Sequence, residues 1–351
     1  MAAMVVANNP GSWSFIYPGL RHADWHGCTP VDLIFPAFLT IVGVAMPFAL
    51  GRYQAAGRPG ATVYRRVGRR VLVLFGLGLL LNGFPTYNLA HIRILGVLQR
   101  IALAYGLAAL AVLHLSRRGR WLLVAVILVG YAALLLGVPD GLSPTDNPGA
   151  WLDRRLLGTA HLYQAPPFGG LGDPESLLGT LPATATVLVG VGVGDWLRSQ
   201  PRSIRTSLGL ALAGLGGMLL GWGWGWVLPL NKALWTSSYV LFTSGVSLVL
   251  LAGLYHWVDV QRGRPWAWPL EVMGQNAILL FVGSGLVGRL LRRVSIPHGS
   301  DSIPLNTWIY ETLCRPWAGE YGGSLLYAGV TLGLWWVVLY GLYRRRWFLR
   351  V

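Results

Sequence analysis

The sequence predicts an all-α protein, a single polytopic transmembrane helix bundle formed by residues 1–351. Three observations predict it. Hydrophobic residues make up 54% of the 351 residues and charged residues only 12%, and the mean hydropathy is +0.52, values typical of a membrane protein and not of soluble domains. Apolar runs long enough to cross a bilayer, about 20 residues, recur along the chain. The arginines are concentrated in the short gaps between these runs.

Nine full spans and a partial first helix are predicted. Met1–Ala7 is interpreted as the end of a tenth helix, too short to cross a bilayer alone, whose upstream part lies outside the printed sequence. Each full span is an apolar run between short polar segments. In chain order the nine are Val31–Gly51, Val71–Phe84, Leu95–Leu115, Trp121–Val138, Pro174–Trp196, Ser207–Leu228, Ser237–Val258, Trp268–Gly288 and Ser324–Tyr343.

The distribution of basic residues orients the bundle. With residues 8–30 placed outside, 18 basic residues fall in cytoplasmic segments and nine fall outside. An excess of Lys and Arg in short loops marks the cytoplasmic side, so both termini are expected in the cytoplasm. The same topology explains the net charge of +15 and argues against a nucleic-acid partner. Cys28 and Cys314 then share the outer side, where two free thiols and one disulfide are both open.

The first full span has the clearest start. Thr29 as N-cap, Pro30 at the first helical position and Asp32 reaching back to free amides are typical of a helix N-terminus. Asp32 has a second interpretation, a carboxylate that orients the imidazole of His22. His22 lies in a polar, ring-rich block before this helix, near Asn8, and a titratable group beside a bilayer is a functional candidate.

Two later spans carry charged residues. Gln99 and Arg100 lie in the third span, and Arg100 follows Arg93 by seven residues, so a continuous helix would turn both arginines to one side. An arginine at that depth either pairs with an acid or binds an anion. The fifth span begins at Asp173 and Glu175, which are interpreted as capping residues.

The later spans contain further polar positions and a series of small residues. The turn before the seventh span holds Asn231, Lys232 and Trp235, and a surface turn and a site are both open interpretations. Gln275 and Asn276 of the eighth span are expected to face one cavity. The histidines show no metal-ligand spacing, so no metal site is predicted. A packing face, which permits a homodimer without requiring one, is predicted for the small residues Ala213, Gly217, Gly221 and Gly225.

Six blocks of the sequence occur together in a fixed order. They are Met4-Val-Val-Ala-Asn8, His22-Ala-Asp-Trp25 with Thr29-Pro-Val-Asp-Leu-Ile-Phe-Pro36, Arg93-Ile-Leu-Gly-Val-Leu-Gln-Arg100, Asp173-Pro-Glu-Ser-Leu-Leu-Gly179, Asn231-Lys-Ala-Leu-Trp235 and Gly274-Gln-Asn276. With these blocks the chain resembles, over nearly its whole length, the heparan-alpha-glucosaminide N-acetyltransferases and their bacterial relatives, multi-pass membrane enzymes that acetylate amino sugars. In the family an Asp and an Arg-Gly pair precede the position of Asn8, and this sequence begins after that point.

The resemblance implies that acetyl-CoA binds from the cytoplasmic side and that its acetyl group passes through the protein to a glucosamine nitrogen outside. It implies His22 as the catalytic histidine and Asn8 as the active-site asparagine. An imidazole can take the proton of the amine or carry the acetyl group itself, and an amide can stabilise the developing oxyanion. Both roles of His22 stay open.

Binding residues follow from the chemistry of the two substrates. Coenzyme A carries a pyrophosphate and a ribose phosphate, which arginines bind well. The cytoplasmic candidates are Arg65, Arg66, Arg69 and Arg70. Candidates along the path of the pantetheine arm are Gln99, Arg100, Gln275 and Asn276. Candidates for the acceptor are Trp25, Arg93, Asn231, Lys232 and Trp235.

An arginine-rich chain of this size is typical of a bacterial protein. We therefore expect the bacterial inner membrane, contacts with membrane lipids, and an envelope acceptor such as an amino sugar, a peptidoglycan fragment or a glycolipid in place of heparan sulfate. The same polar residues inside a bundle would also suit a non-enzymatic transporter or flippase of a sugar-linked lipid, although no inverted repeat is apparent. A degenerate family member that serves as a scaffold is a third alternative.

Overall fold

The computed structural model describes residues 1–55, 60–298 and 301–349 and is mostly helical. A short 3₁₀ turn, Pro30–Leu33, leads into the second helix. The helices are α1 (Ala2–Asn8), α2 (Ile34–Ala55), α3 (Ala61–Gly83), α4 (Val97–His114), α5 (Arg117–Leu136), α6 (Pro148–Leu157), α7 (Thr180–Arg198), α8 (Ile204–Trp224), α9 (Ser237–Tyr255), α10 (Arg264–Gln275), α11 (Ala277–Arg293), α12 (Leu305–Ile309) and α13 (Arg315–Arg344).

One element lies outside the all-α prediction. The strands β1 (Ser295–His298) and β2 (Asp301–Pro304) form an antiparallel hairpin between α11 and α12, with Ser295 opposite Pro304. Nothing in the apolar periodicity of the flanking spans indicates this hairpin, because it lies in the connection and not in a span.

Seven helices among the described residues are long and apolar enough to cross a membrane, and α10 with α11 would make an eighth. The nine predicted spans are therefore not confirmed. Val71–Phe84 coincides with only the second half of α3, whose first half carries Arg65, Arg66, Arg69 and Arg70, so α3 is not among the seven. Trp268–Gly288 is broken, because α10 and α11 bend by 65°.

Helices α2 and α7 run in the same direction and touch backbone to backbone. A methyl group on Gly43 would lie 2.0 Å from the carbonyl oxygen of Val187, and one on Gly190 would lie 2.2 Å from that of Thr40. Glycines allow this approach because no Cβ separates the two helices. The contact fixes the start of α2 beside the segment that leads into α7.

The predicted small-residue face of α8 is confirmed as a packing face. A methyl group on Gly217 would lie 3.2 Å from the Cα of Gly245, and one on Gly221 would lie 2.3 Å from the amide nitrogen of Phe242. Both neighbours belong to α9 of the same chain. Gly217 and Gly221 thus pack within the chain, whereas Ala213 is exposed, and the homodimer that this face permits stays untested.

The two cysteines are free thiols in the structure, so the alternative of a disulfide is wrong here. Cys314 is buried with Tyr310 and Tyr327. Cys28 is half-buried, and burial together with the charge of Asp32 raises the pKa of its thiol to about 12, although Lys232 opposes this shift. The Cys28 thiol therefore stays protonated and unreactive at neutral pH.

Candidate active site

A cavity of about 240 Å³ opens at the end of the bundle where α2 begins. We call it the His22 cavity. Its walls come from the segment before α2, the loop between α6 and α7, and the turn before α9. The predicted site residues that line it are His22, Trp25, Asp32, Arg100, Lys232 and Trp235.

Asp32 makes both of the contacts expected from the sequence. Its Oδ1 lies 2.6 Å from His22 Nδ1. Its Oδ2 accepts hydrogen bonds from the amide and hydroxyl groups of Thr29 at 3.1 and 2.9 Å, and from the amide of Ala23 at 3.1 Å. Asp32 is 1% exposed. One buried carboxylate therefore caps the helix and holds the imidazole.

The contacts of His22 indicate its tautomer. A carboxylate can only accept, so the 2.6 Å contact places a proton on Nδ1 and leaves the lone pair on Nε2. Lys232 Nζ lies 3.1 Å from the same ring nitrogen and 3.2 Å from Asp32 Oδ1. With Nδ1 protonated, Lys232 acts as the ion-pair partner of Asp32. The His22 side chain is 53% exposed, which keeps its Nε2 edge accessible to a substrate.

Aromatic rings form one wall of the His22 cavity. Trp25 contacts Phe168 edge to face with 5.7 Å between ring centroids, and Phe168 contacts Tyr163 in the same way at 6.0 Å. Trp25 Nε1 donates to the carbonyl of Leu142 at 2.9 Å, which fixes the indole. Rings with apolar faces and polar edges are suited to a sugar, whose own faces are apolar and whose rim is hydroxylated.

A buried ionic cluster adjoins this wall. Arg93 binds Asp173 with two donors, Nε to Oδ2 at 2.8 Å and Nη2 to Oδ1 at 2.5 Å, and also binds Glu175 through Nη2. Its guanidinium lies over the ring of Tyr163, 4.6 Å from the centroid. Although burial opposes both shifts, the carboxylates raise the pKa of Arg93, and the charges of Arg93 and Arg100 lower the pKa of Glu175. Glu175 is therefore ionised where it lines the cavity.

This cluster corrects two expectations. Asp173 and Glu175 do not cap a helix, because α7 begins five residues later, at Thr180. Arg93 precedes α4, which begins at Val97, so it is not on one helical face with Arg100. Its Nε and Nη2 donate to the two acids, and it supports the wall of the cavity without lining it.

Arg100 forms the floor of the cavity. Its side chain is 2% exposed and lies over the indole of Trp235, 5.0 Å from the ring centroid. Nη2 donates to the carbonyl of Ser176 at 3.3 Å, and the buried Nε has no hydrogen-bond partner. Among the described residues no carboxylate lies within ion-pair distance of this guanidinium.

The turn before α9 positions the site without contributing all of its predicted ligands. Asn231 is fully buried, donates to the carbonyl of Trp25 at 2.9 Å and accepts from the amide of Leu234 at 2.8 Å. It holds the turn against the His22 segment and does not line the cavity, contrary to its predicted role in acceptor binding. Trp235, at a φ of +55°, is fixed by a 3.0 Å hydrogen bond from Nε1 to Thr186.

A second cavity, of about 430 Å³, opens near the other end of α2. We call it the Arg70 cavity. Two candidates for acetyl-CoA binding, Arg70 and Gln275, line it together with Tyr105, whose ring centroid lies 4.5 Å from the Arg70 guanidinium. The Nε of Arg70 is buried without a partner. Arg66 is exposed and donates to the hydroxyl of Tyr53 at 2.9 Å.

A narrow space of about 20 Å³ adjoins the Arg70 cavity and shares no lining residue with the His22 cavity. We call it the neck. Phe38, Arg70 and Ile278 line both the neck and the Arg70 cavity. Leu98 and Ile101, which flank Arg100 on α4, also line the neck.

Besides Arg66, Arg93 and Asn231, three further predicted site residues line neither cavity. Asn8 is exposed at the end of α1, which packs against α13, α11 and the turn Pro30–Leu33, and it does not line the His22 cavity. Gln99 packs against α3, because its side-chain oxygen occupies the space over Gly78. Asn276 binds the carbonyl of Trp347 and the amide of Leu349, so it anchors the C-terminal segment.

Sequence reasoning missed three residues of the cavity wall. Glu175 was interpreted only as a capping residue, although it stands in a block that resembles the family. Tyr163 and Phe168 lie in a loop with no helical periodicity and no motif. Their one signal is aromatic residues in a Pro/Gly-rich connection, which can bind a ligand or pack on the scaffold equally well.

The chain is similar to known proteins of one family. The family profile described as heparan-alpha-glucosaminide N-acetyltransferase, catalytic, matches residues 15–220. The human heparan-alpha-glucosaminide N-acetyltransferase is 30% identical over 340 residues, which cover 80% of this chain and 50% of the human protein. The mouse protein of the same name is 28% identical over 345 residues, which cover 81% and 51%. The chain spans about half the length of these curated relatives.

Proposed function

Since the chain belongs to the heparan-alpha-glucosaminide N-acetyltransferase family, we propose that this multi-pass membrane protein transfers an acetyl group from acetyl-CoA to the amine of an amino sugar. The observation that carries the proposal is the His22–Asp32 pair. The Nε2 lone pair of His22 is accessible in a cavity. One part of the cavity wall is aromatic, and Glu175 makes another part acidic.

His22 supplies the proton transfer that this reaction needs. The amine nitrogen attacks the thioester carbonyl carbon, the C–S bond breaks, and the thiol of coenzyme A leaves. Nε2 takes the proton that the amine loses and returns it to the leaving sulfur, so protons balance. Asp32 keeps the other ring nitrogen protonated and stabilises the imidazolium that forms in between. Direct transfer is the simpler course, and an acetyl-histidine intermediate is its alternative.

The Arg70 cavity fits the acyl donor. The buried Nε of Arg70 is a free donor, and Tyr105 and the apolar side chains of α2 offer contact for the pantetheine arm. The exposed Arg66, one helical turn before Arg70 on α3, is available for the phosphates. The arginine-rich start of α3 is assigned to the cytoplasm, with both chain termini. The neck would then be the path of the thioester end toward the His22 cavity.

The His22 cavity is assigned to the outer side, where it would take the acceptor. The aromatic wall suits one face of a sugar ring, and the ionised Glu175 suits its ammonium or hydroxyl groups. We propose an envelope amino sugar of a bacterial inner membrane, because the arginine-rich chain has the composition expected there.

The test is transfer of labelled acetyl from acetyl-CoA to glucosamine and to amino-sugar glycolipids in proteoliposomes. Acetyl-CoA is supplied on one side and the acceptor on the other, with the His22→Ala protein as control. Transfer that requires His22 supports the proposal. Movement of the acceptor across the membrane without an acyl donor would support a transporter instead. Equal acetyl transfer by the His22→Ala protein would contradict the proposed mechanism.

A further inference from the structure

We propose that Arg100 is the oxyanion-stabilising residue of this site and donates hydrogen bonds to the carbonyl oxygen of the acetyl group during transfer. The inference rests on the proposed acetyl transfer and names the group that would stabilise its transition state. In the sequence Arg100 was only a candidate for the pantetheine path.

Arg100 has hydrogen-bond donors without partners although its side chain is buried, which is energetically unfavourable. A guanidinium offers five N–H groups, and among the described residues the Arg100 side chain makes one hydrogen bond, a long one of 3.3 Å to the Ser176 carbonyl. Its Nε is buried and unpartnered. Buried donors are nearly always satisfied, and a charged side chain inside a membrane protein is retained for a function. The free donors therefore indicate an acceptor atom supplied by a ligand in the cavity.

The position of Arg100 favours the acyl donor over the acceptor sugar. Its side chain forms the floor of the His22 cavity, while Leu98 and Ile101 on the same helix line the neck. Arg100 is 2% exposed and lies at the inner end of that cavity, whereas the His22 side chain is 53% exposed at its rim. The sugar enters from the opposite, open side.

The charge of the cluster favours a neutral ligand atom at Arg100. Asp32 is paired with Lys232, and Arg93 is shared by the two carboxylates Asp173 and Glu175, which leaves one negative charge in excess. Arg100 balances that excess through space, as the lowered pKa of Glu175 reflects. A permanent carboxylate on Arg100 would leave the cluster with a net negative charge. A thioester carbonyl adds no charge before reaction and gains it only in the transition state.

No other residue on the cavity is better placed for this task. Asn8, the amide expected to stabilise the oxyanion, is exposed outside the cavity, and Lys232 is engaged with Asp32. In the reaction the amine electron pair forms the C–N bond, the carbonyl π pair moves to oxygen, and Arg100 hydrogen bonds stabilise that charge. The pair then re-forms the C=O bond as the C–S bond breaks, and the arginine neither gains nor loses a proton.

The first test is spectroscopic and does not need turnover. Acetyl-CoA labelled with ¹³C at the carbonyl is bound to the His22→Ala protein, and its carbonyl stretch is measured by infrared difference spectroscopy. Hydrogen bonds from Arg100 polarise the carbonyl, so the band is expected below its frequency in water. The Arg100→Met substitution in the same background should return the band upward, while labelled acetyl-CoA still binds.

Kinetics provide the second test. For Arg100→Met in the otherwise native protein we expect kcat to fall roughly 10²- to 10³-fold, the usual effect of losing one oxyanion donor, with the KM for the acceptor little changed. Arg100→Lys should recover only part of kcat, because one ammonium cannot reproduce the guanidinium geometry. Arg100→Met combined with Glu175→Gln restores the charge balance and guards against simple misfolding. The matched buried control is Arg120→Met with Asp195→Asn, a neutralised ion pair away from the cavity.

The outcomes separate this inference from the proposed function. If the native protein transfers acetyl groups but the Arg100 variants keep kcat and the infrared band, Arg100 has no part in stabilising the oxyanion while the acetyltransferase stands. A loss expressed only as a higher KM for an anionic acceptor would overturn the inference in favour of an anion site. No transfer by the native protein with any amino-sugar acceptor would remove the proposed function itself.

Discussion

Asp32 holds His22 with one carboxylate oxygen and the start of its own helix with the other. Oδ1 lies 2.6 Å from His22 Nδ1, and Oδ2 accepts from the amide and hydroxyl groups of Thr29. The same side chain thus couples the position of the imidazole to the N-terminus of α2. Catalytic and structural contributions of Asp32 can be separated, because they involve different atoms.

Asp32→Asn is expected to lower kcat roughly 10²- to 10⁴-fold with little change in KM. The amide can still accept from Thr29, but it can no longer stabilise an imidazolium or hold Nδ1 protonated as a carboxylate does. The measurement is steady-state acetyl transfer in detergent micelles, with folding checked by thermal unfolding.

Thr29→Ala is the matched control for this prediction. It removes the hydroxyl contact to Asp32 Oδ2 at a cost of about 1 kcal/mol in stability, and leaves the carboxylate on His22. We expect near-native kcat. Equal losses of kcat in the two variants would mean that Asp32 matters only through the helix start.

Arg93→Met is expected to destabilise the protein by about 3–5 kcal/mol, because it leaves the buried Asp173 and the largely buried Glu175 without a counter-ion. The triple variant Arg93→Met, Asp173→Asn, Glu175→Gln removes the stranded charges and should regain most of the loss. Thermal unfolding of single and triple variants measures this. A single variant as stable as the parent would show that the ionic cluster contributes nothing to folding.

Asp153→Asn tests a pH dependence built into α6. The Asp153 side chain is fully buried, its Oδ1 accepts from the amide of Leu177 at 3.0 Å, and its Oδ2 has no partner. Burial, aided by the charge of Asp173, raises the pKa of this carboxyl from 3.8 to about 7, although the Leu177 hydrogen bond and Arg100 oppose the shift.

The direction in which stability changes with pH depends on whether the folded or the unfolded state keeps the Asp153 proton. Below about pH 4 the carboxyl is protonated folded or unfolded. From there to about pH 7 only the folded state retains the proton, so stability falls as pH rises and the loss is complete above about pH 7. The Asp153→Asn variant, neutral at every pH, avoids this loss. Its melting temperature should match the parent near pH 4 and exceed it at pH 8, and a constant difference across the range would contradict the raised pKa.

Asn276→Ala is expected to release the C-terminal segment. The Asn276 amide donates to the carbonyl of Trp347 and accepts from the amide of Leu349, and Leu349 lines the Arg70 cavity. Hydrogen exchange at the Leu349 amide should accelerate strongly once its buried acceptor is lost. The neighbouring, exposed Gln275→Ala serves as control and should leave this exchange unchanged; equally fast exchange in both variants would show that Asn276 is not the anchor.

The sequence alone is sufficient to predict the features that depend on local chemistry. Thr29 and Asp32 carry a capping pattern that needs no tertiary information, and the small residues of α8 predict a close helix contact. What the sequence could not provide depends on how distant segments meet. Whether Arg93 or Arg100 has an acidic partner is decided by the loop before α7, which an inspection of α4 alone does not reveal. The break at Asn276 was hidden because both halves of that span are apolar.

The roles of the site residues were also predictable only where local composition indicates them. Lys232 and Trp235 were found because a polar turn beside a bilayer stands out by composition. Asn231 stands in the same turn but faces the protein, and adjacent positions of a turn differ in direction in a manner that composition does not encode.

The contact of Gly43 with Val187 has a consequence for how acceptor preference can diverge. The His22–Asp32 pair precedes α2, and the Glu175 wall precedes α7. Because nothing larger than hydrogen separates the two backbones at Gly43 and Gly190, neither wall can be re-spaced by exchanging a side chain at the crossing. We therefore expect relatives that recognise bulkier sugars to vary the connection between α6 and α7, where length and ring content can change while the reacting groups keep their separation.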